Sequence, residues 1–323
     1  MSAHPDVAVA ACPACQSPVF EDERYCEACG RQLVPDPVVV EAAEDSSATA
    51  LPPEAQQRIE VDEGFVATVS DRGWRRRRNE DAVEAMAVGD RAAVAVCDGV
   101  ASTASSHRAA QAAARAVLNV LGAALLDMKW PSRPELHAAL RTAFAEAQRS
   151  AAAMEGEGRD TSDLAPSTTL VAAVAVPGYV VVGNVGDSRA YWLGRDDHRL
   201  LTVDDTKAQD QIARGVPEAA AYADPEAHQI TRWIGADAES TEPRITEHEV
   251  TEPGLLLVCT DGLWNYFETP EELAELTAGA GDDHPLDIAR RLTEAALDAG
   301  GQDNITVAVV PVGPAAPTTS VEV

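Results

Sequence analysis

Aromatic residues make up only 4% of this 323-residue chain, so Ala, Val and Leu must build whatever core it has. Basic residues are scarce as well: 25 Lys and Arg stand against 53 Asp and Glu, a formal charge of −28. Such a chain is repelled by phosphate backbones and anionic headgroups, which argues against nucleic acid or a membrane as its primary ligand. No apolar run approaches the ~20 residues needed to cross a bilayer. The opening residues 1–11 lack a basic segment, and their longest apolar stretch, 7–11, is too short for a signal peptide. A soluble, cytoplasmic protein is expected. What the chain does have is length: about two typical domains' worth, and 46% hydrophobic residues to bury.

Of the six cysteines, four form two CxxC pairs, Cys12/Cys15 and Cys26/Cys29, with residues 16–25 between them. Each knuckle turns two thiolates toward one point, and four thiolates make a closed tetrahedral zinc site. Residues 1–30 therefore read as a zinc-ribbon module whose folding energy would come from Zn²⁺. A redox CxxC pair is the weaker account, because no βαβ pattern surrounds either knuckle. Cys97 and Cys259 each end a Val- or Leu-rich run and read as small buried hydrophobes.

Residues 31–60 are rich in Pro, Ala, Ser and acid and read as a flexible linker. A second globular unit runs over 61–312, and 313–323 is a disordered tail. Within the unit, strands are predicted at 64–70, 92–97, 168–176, 179–185, 189–193, 254–259 and 305–310. Pro177-Gly178 marks a hairpin between two of them. Long helices are predicted over 105–126, 134–154 and 285–299, the last stopping at Gly300-Gly301. Two adjacent helices followed by a strand-rich middle do not alternate as βαβ units. The expectation is an α+β fold, a sandwich of two mainly antiparallel sheets flanked by helices.

Acids punctuate the ends of these strands. Asp98-Gly99 follows the run 94–97, Asp261-Gly262 follows 255–260, and Gly186-Asp187 follows 180–185. Asp303-Asn304 opens the last strand, and Asn79-Glu80-Asp81 follows an arginine cluster after the first. For any one pair an ordinary turn is the simpler account. A set of carboxylates at strand ends is different: brought together, they repel unless a cation intervenes, and hard oxygen donors suit Mg²⁺ or Mn²⁺.

Eight segments then appear in order: SDRGWRRRRNEDA, VAVCDGV, STTLVAAVAV, GNVGDSRAYWL, LTVDD, ITRWIGAD, LLLVCTDGLW and GGQDNITVAVV. Across about three quarters of the chain they resemble the metal-dependent PPM (PP2C-type) serine/threonine protein phosphatases. The resemblance implies that Asp98 bridges two metal ions, that the Gly99 carbonyl meets the second, and that Asp261 and Asp303 are the other direct ligands. It assigns Asp187, together with Asp261, to a third ion. Glu80 and Asp81 would hold metal-bound water, and Asn304 would orient the site. Arg76 falls at the family's phosphate-binding position, and its planar fork can grip two phosphate oxygens as a lysine could not. Arg75, Arg77 and Arg78 read instead as a solvated loop tip.

The implied activity is hydrolysis of phosphoserine and phosphothreonine by a metal-bridged hydroxide, with two or three Mn²⁺ or Mg²⁺ ions as cofactors. Phosphorylated proteins are the implied partners, including serine/threonine kinases and their substrates, with no nucleic acid, no membrane and a monomeric state expected. One departure stands out. Where family members continue Asp-Gly with further glycines or a histidine, this chain reads Val100-Ala101-Ser102-Thr103-Ala104-Ser105-Ser106. Val100 cannot donate a proton, and His107 reads as a first-turn surface residue. That loop alone supports the alternative reading, a catalytically weak pseudophosphatase or scaffold acting through the ribbon and the acidic surface. Residues 206–230 are expected to form a mobile cover beside the metals.

Overall fold

A computed structural model describes residues 10–11, 18–19, 58–100, 105–127, 132–154, 165–278 and 283–315. The four CxxC cysteines, most of the 31–60 linker and residues 101–104 lie outside this set. At the amino end, β1 (Ala10–Ala11) pairs antiparallel with β2 (Pro18–Val19).

Apart from a short β12–β7 pair, the remaining strands form two antiparallel sheets. In chain order they are β3 (Arg58–Asp62), β4 (Ala67–Asp71), β5 (Ala82–Val88), β6 (Arg91–Cys97), β7 (Ser167–Thr168), β8 (Leu170–Val176) and β9 (Tyr179–Val185). Then come β10 (Arg189–Leu193), β11 (His198–Leu200), β12 (Ile234–Gly235), β13 (Arg244–Glu249), β14 (Gly254–Cys259) and β15 (Ile305–Val312). One sheet has the order β11-β10-β14-β15-β4-β3, the other β13-β9-β8-β6-β5, and β12 pairs with β7 beside them. The first strand of the unit begins at Arg58 rather than 61, because Arg58 to Asp62 run in register against β4.

Alternation along each strand explains why these segments are apolar at nearly every position. In β8, Val171, Ala173 and Ala175 face the other sheet, while Leu170, Ala172, Val174 and Val176 face helices. With both faces covered, neither can be polar. Helices α1 (Ser106–Asp127) and α2 (Arg133–Ala152) cover the five-stranded sheet. Ala109, Ala110, Ala113 and Ala114 of α1 belong to one buried cluster with Ala93 and Ala95 of β6, so small side chains let backbones approach closely and little aromatic bulk is needed. Although α1 has the length and hydropathy of a bilayer-spanning helix, contrary to the sequence expectation, its Ala face is consumed by this packing.

The six-stranded sheet is covered by α5 (Asp261–Trp264), α6 (Pro270–Thr277) and α7 (Pro285–Asp298). The result is four layers, helix on sheet on sheet on helix, as expected. Two short helices, α3 (Lys207–Ala213) and α4 (Glu218–Ala221), lie in the predicted cover and share a small core of Ala208, Ala221 and Ala227. Cys97 and Cys259 are free and fully buried, as read from sequence.

Candidate active site

The strand ends converge on a cleft of about 160 Å³ walled by Arg76, Glu80, Asp98, Gly99, Asp187, Asp261, Asp303 and Asn304. Chain positions more than two hundred residues apart meet here because β15 lies between β14 and β4. That placement brings Asp303 and Asn304 beside the loop 72–81 on one side and Asp261 on the other. Tight backbone contact makes this possible. A Cβ on Gly262 would lie 1.9 Å from the Asn304 carbonyl oxygen, and one on Gly73 (φ +74°) 2.1 Å from that of Asp303. Gly99 is needed for the same reason, since its Cβ would approach the Glu80 carbonyl to 2.7 Å.

Asn304 organises the arginine loop. Its Oδ1 accepts the Glu80 amide at 2.8 Å, and its Nδ2 donates to the carbonyls of Arg72 at 2.8 Å and Arg78 at 2.9 Å. Arg76, held within that loop, pairs with the Asp303 carboxylate. Burial works against the Arg76 charge, but Asp303, with Asp98 and Asp261 beyond it, raises its pKa above the usual guanidinium value. Glu80 Oε1 accepts from Ser106 Oγ at 2.9 Å, so the wall is fixed from the first turn of α1.

Asp81 lies beneath the cleft, 6% exposed, and one of its oxygens accepts from Thr260 Oγ1 at 2.8 Å and Thr306 Oγ1 at 2.7 Å. Its other oxygen is buried with no hydrogen-bond partner among the described residues. Burial raises Asp81 to about 7 against the pull of those hydroxyls, and it raises Asp261 to about 7 and Asp187 to about 8. Asp98 is raised well above the carboxylate range, by burial first and then by Asp81, Asp261, Asp303 and Asp187. Four desolvated acids, one with an orphaned oxygen, form a donor set that a hard divalent cation satisfies. Asp303 is turned onto Arg76 and Asp98 is within hydrogen-bonding reach of Asp261. Among the described residues no three of these side chains already stand as a metal cage.

Residues 75–282 match the family model described as protein phosphatase 2C. The chain belongs to the protein phosphatase 2C family. It is 32% identical to the serine/threonine protein phosphatase PstP of Mycobacterium tuberculosis over 250 residues, 76% of this chain and 44% of that protein. The serine/threonine phosphatase stp of Listeria welshimeri is 27% identical over 244 residues, covering 75% of this chain and 93% of the relative. Among solved structures, the PstP catalytic domain in complex with two manganese ions superposes with a TM-score of 0.56. It is 30% identical, with 76% of this chain and 97% of that one covered. The matched region is thus less than half of the PstP protein.

Within this protein phosphatase 2C fold, every non-cysteine residue to which the resemblance gives a role reaches the cleft or, for Asp81, its floor. His107 does not; it sits 3.5 Å from Arg78 in the first turn of α1. Sequence reasoning missed the supporting hydroxyls. Thr169 Oγ1 accepts the Asp98 amide at 3.0 Å and bonds Ser188 Oγ at 2.7 Å, while Thr260 and Thr306 hold Asp81. All four lie inside the recognised segments, but a hydroxyl in a strand gives no sign of which acid it will meet.

A further acid was missed altogether. Asp205, fully buried, ends the LTVDD segment, and its carboxylate pairs with Arg232 and Arg244 and accepts the Gly186 amide at 3.1 Å. Its own amide donates to the Gly186 carbonyl at 2.9 Å, and its carbonyl accepts from Thr231 at 2.8 Å. One residue therefore ties both ends of the cover to the turn that presents Asp187. Ile230, at the far end of the cover, lines the cleft.

Proposed function

We propose that this chain is a metal-dependent phosphatase acting on phosphoserine and phosphothreonine in proteins. The observation that carries the reading is a guanidinium, Arg76, standing among Asp98, Asp187, Asp261 and Asp303 in one small cleft. A cation fork beside clustered acids is of little use to a neutral ligand. It suits a phosphate monoester approaching acids already neutralised by divalent ions.

Asp98, Asp261 and Asp303, with the Gly99 carbonyl, would hold two such ions, and Asp187 with Asp261 a third; manganese in the related PstP domain supports Mn²⁺, with Mg²⁺ the close alternative. When bound, these ions offset the carboxylate charge and acidify water for in-line attack at phosphorus. The chain's own residues do the rest. Arg76 exchanges Asp303 for the phosphate oxygens and keeps them oriented while negative charge develops. Asn304 fixes the loop that aims Arg76 and Glu80. Asp81, held by Thr260 and Thr306, would help to hold metal-bound water, with one carboxylate oxygen left without a partner for that role. Val100 supplies no proton, so the departing serine or threonine oxygen takes one from solvent.

Every expected ligand lines the cleft, which weighs against the pseudophosphatase alternative that the 100–106 loop raises. Phosphate release from a phosphothreonine peptide should require Mn²⁺ or Mg²⁺ and vanish in Asp261→Asn. Metal-independent release, or full activity in that variant, would overturn the proposal. We also propose that Cys12, Cys15, Cys26 and Cys29 bind zinc, a reading supported by their spacing alone. One equivalent of zinc per chain, lost in a Cys12→Ser/Cys15→Ser variant, is the expected elemental analysis.

A further inference from the structure

A second cavity of about 500 Å³ adjoins the cleft, and the two share Arg76 and Asp303 in their walls. Arg75, Asn265, Tyr266 and Gln302 line the added space. Most polar groups there are already engaged. Asn265 Nδ2 donates to Asp261 Oδ2 at 3.1 Å, the Tyr266 hydroxyl accepts the Gln302 amide at 3.0 Å, and Asp303 is paired with Arg76. Arg75 and the exposed Gln302 side chain are the exceptions, and of the two only Arg75 carries charge. Half-buried in the wall, its guanidinium meets no carboxylate and no hydrogen-bond acceptor among the described residues.

Arg195 and Arg214 also meet no carboxylate among the described residues, but both are exposed, whereas Arg75 is half-buried in a cavity wall beside the cleft. Arg77 and Arg78, its neighbours in the same run, line neither cavity. The loop that holds Arg75 is also not free to swing away. Trp74, the preceding residue, donates from Nε1 to the Leu297 carbonyl at 3.0 Å, and its amide donates to Gly301 at 2.8 Å. Arg75 is therefore a cation on an anchored loop, in the wall of a cavity that shares Arg76 and Asp303 with the phosphate site.

We propose that Arg75 is a specificity-determining residue that selects phosphopeptides carrying an Asp or Glu side chain close to the phosphorylated residue. The inference rests on the phosphatase reading above and names its substrate class more closely. Far from the cleft, the net charge of −28 disfavours acidic substrates, but that field is screened beyond about 10 Å at 0.1 M salt. Within the cavity the local cation decides. A carboxylate there gains a charge-assisted, fork-shaped contact with Arg75, whereas a lysine meets like charge.

The test uses the full chain with Mn²⁺ and a set of phosphothreonine peptides. Each carries Glu, Gln or Lys at one of the two positions on either side of the phosphothreonine. At one or more positions kcat/KM should rank Glu over Gln over Lys, with roughly three- to tenfold between the extremes, and the ratio should shrink with added salt. Arg75→Ala should bring the ratio at that position close to one, and Arg75→Glu should invert it. An inverted preference is something a merely structural change in the loop would not produce. Peptides cleaved without any charge preference, or a preference that persists in both variants, would overturn the role of Arg75 while leaving the phosphatase reading intact. Failure to cleave every peptide would overturn the phosphatase reading itself, and this inference with it.

Discussion

Asn304 Oδ1 accepts the backbone amide of Glu80 at 2.8 Å across a separation of 224 residues. The same carboxamide donates to the carbonyls of Arg72 and Arg78, so one side chain sets the curvature of the loop that carries Arg76. Asn304→Ala leaves three backbone groups without their partner, at about 1–3 kcal/mol for each one kept from water. Phosphopeptide turnover should fall at least tenfold and the melting temperature should drop. Asn304→Asp should not rescue it, because a carboxylate oxygen would then face two carbonyls. Wild-type kinetics in either variant would show that the loop holds its shape unaided.

Gly262 offers a steric test independent of charge. Its backbone needs no unusual dihedral, yet an added Cβ would sit 1.9 Å from the Asn304 carbonyl oxygen. Gly262→Ala must push α5 away from β15 and carry Asp261 with it. We expect a loss of about 3 kcal/mol or more in urea unfolding, at the upper end for overpacking, together with loss of activity.

The acid cluster makes the metal-free protein sensitive to pH in a defined direction. Burial raises the folded-state pKa of Asp81 and Asp261 to about 7 and of Asp187 to about 8, far above an unfolded aspartate near 3.9. Between these limits the folded chain binds more protons than the unfolded one, so stability falls as pH rises. The contribution is complete below about pH 4 and lost by about pH 8. Chelator-treated protein should therefore melt at progressively lower temperature from pH 5 to pH 8, and Mn²⁺ should stabilise it most at the upper end. A melting temperature that climbs over this range without metal would contradict the assignment of these carboxyls as buried groups whose charge is disfavoured in the folded chain.

Asp205 should control the cover without touching the chemistry. Asp205→Ala strands Arg232 and Arg244 and removes the acceptor of the Gly186 amide. Both arginines are partly exposed and can reach water, so the cost is about 1–3 kcal/mol, that of the buried Gly186 amide left without its acceptor. Hydrogen exchange should accelerate across 206–230 and at Gly186–Asp187, well before it does in β8 or β14. Uniform acceleration would mean that the cover and the sandwich open as one unit.

Much of this architecture could be read from the chain, and the omissions follow a rule. The seven strands expected from sequence, allowing for shifted ends, are β4, β6, β8, β9, β10, β14 and β15, and all are interior to a sheet. The four full-length strands that were missed, β3, β5, β11 and β13, are the edges of the two sheets. Interior strands are apolar on both faces because another layer covers each one. An edge strand such as β13, Arg-Ile-Thr-Glu-His-Glu, is charged and partly exposed, as edges must be to avoid pairing with other chains. Helix α6 was missed despite a capping box of Thr269 and Glu272, because eight residues give too little periodicity to register. At the site, Asp98, Asp187, Asp261 and Asp303 were legible because acids at strand ends of both sheets meet at one end of the sandwich. Asp205 was not: its meaning depends on Arg232 and Arg244, whose approach is set by tertiary folding alone.

The position of β15 has a consequence for biosynthesis. It is the last strand of the sandwich to leave the ribosome, yet it lies inside its sheet, hydrogen-bonded to β14 and to β4. Until it is made, the six-stranded sheet is split in two, and Asp303 and Asn304 are absent from a cleft that cannot close. A nascent chain stalled before this strand would expose two unpaired sheet borders and hydrolyse nothing. Any activity of the cleft is thus silent throughout translation, and a frameshift in the final strand should yield aggregation rather than a partly active chain.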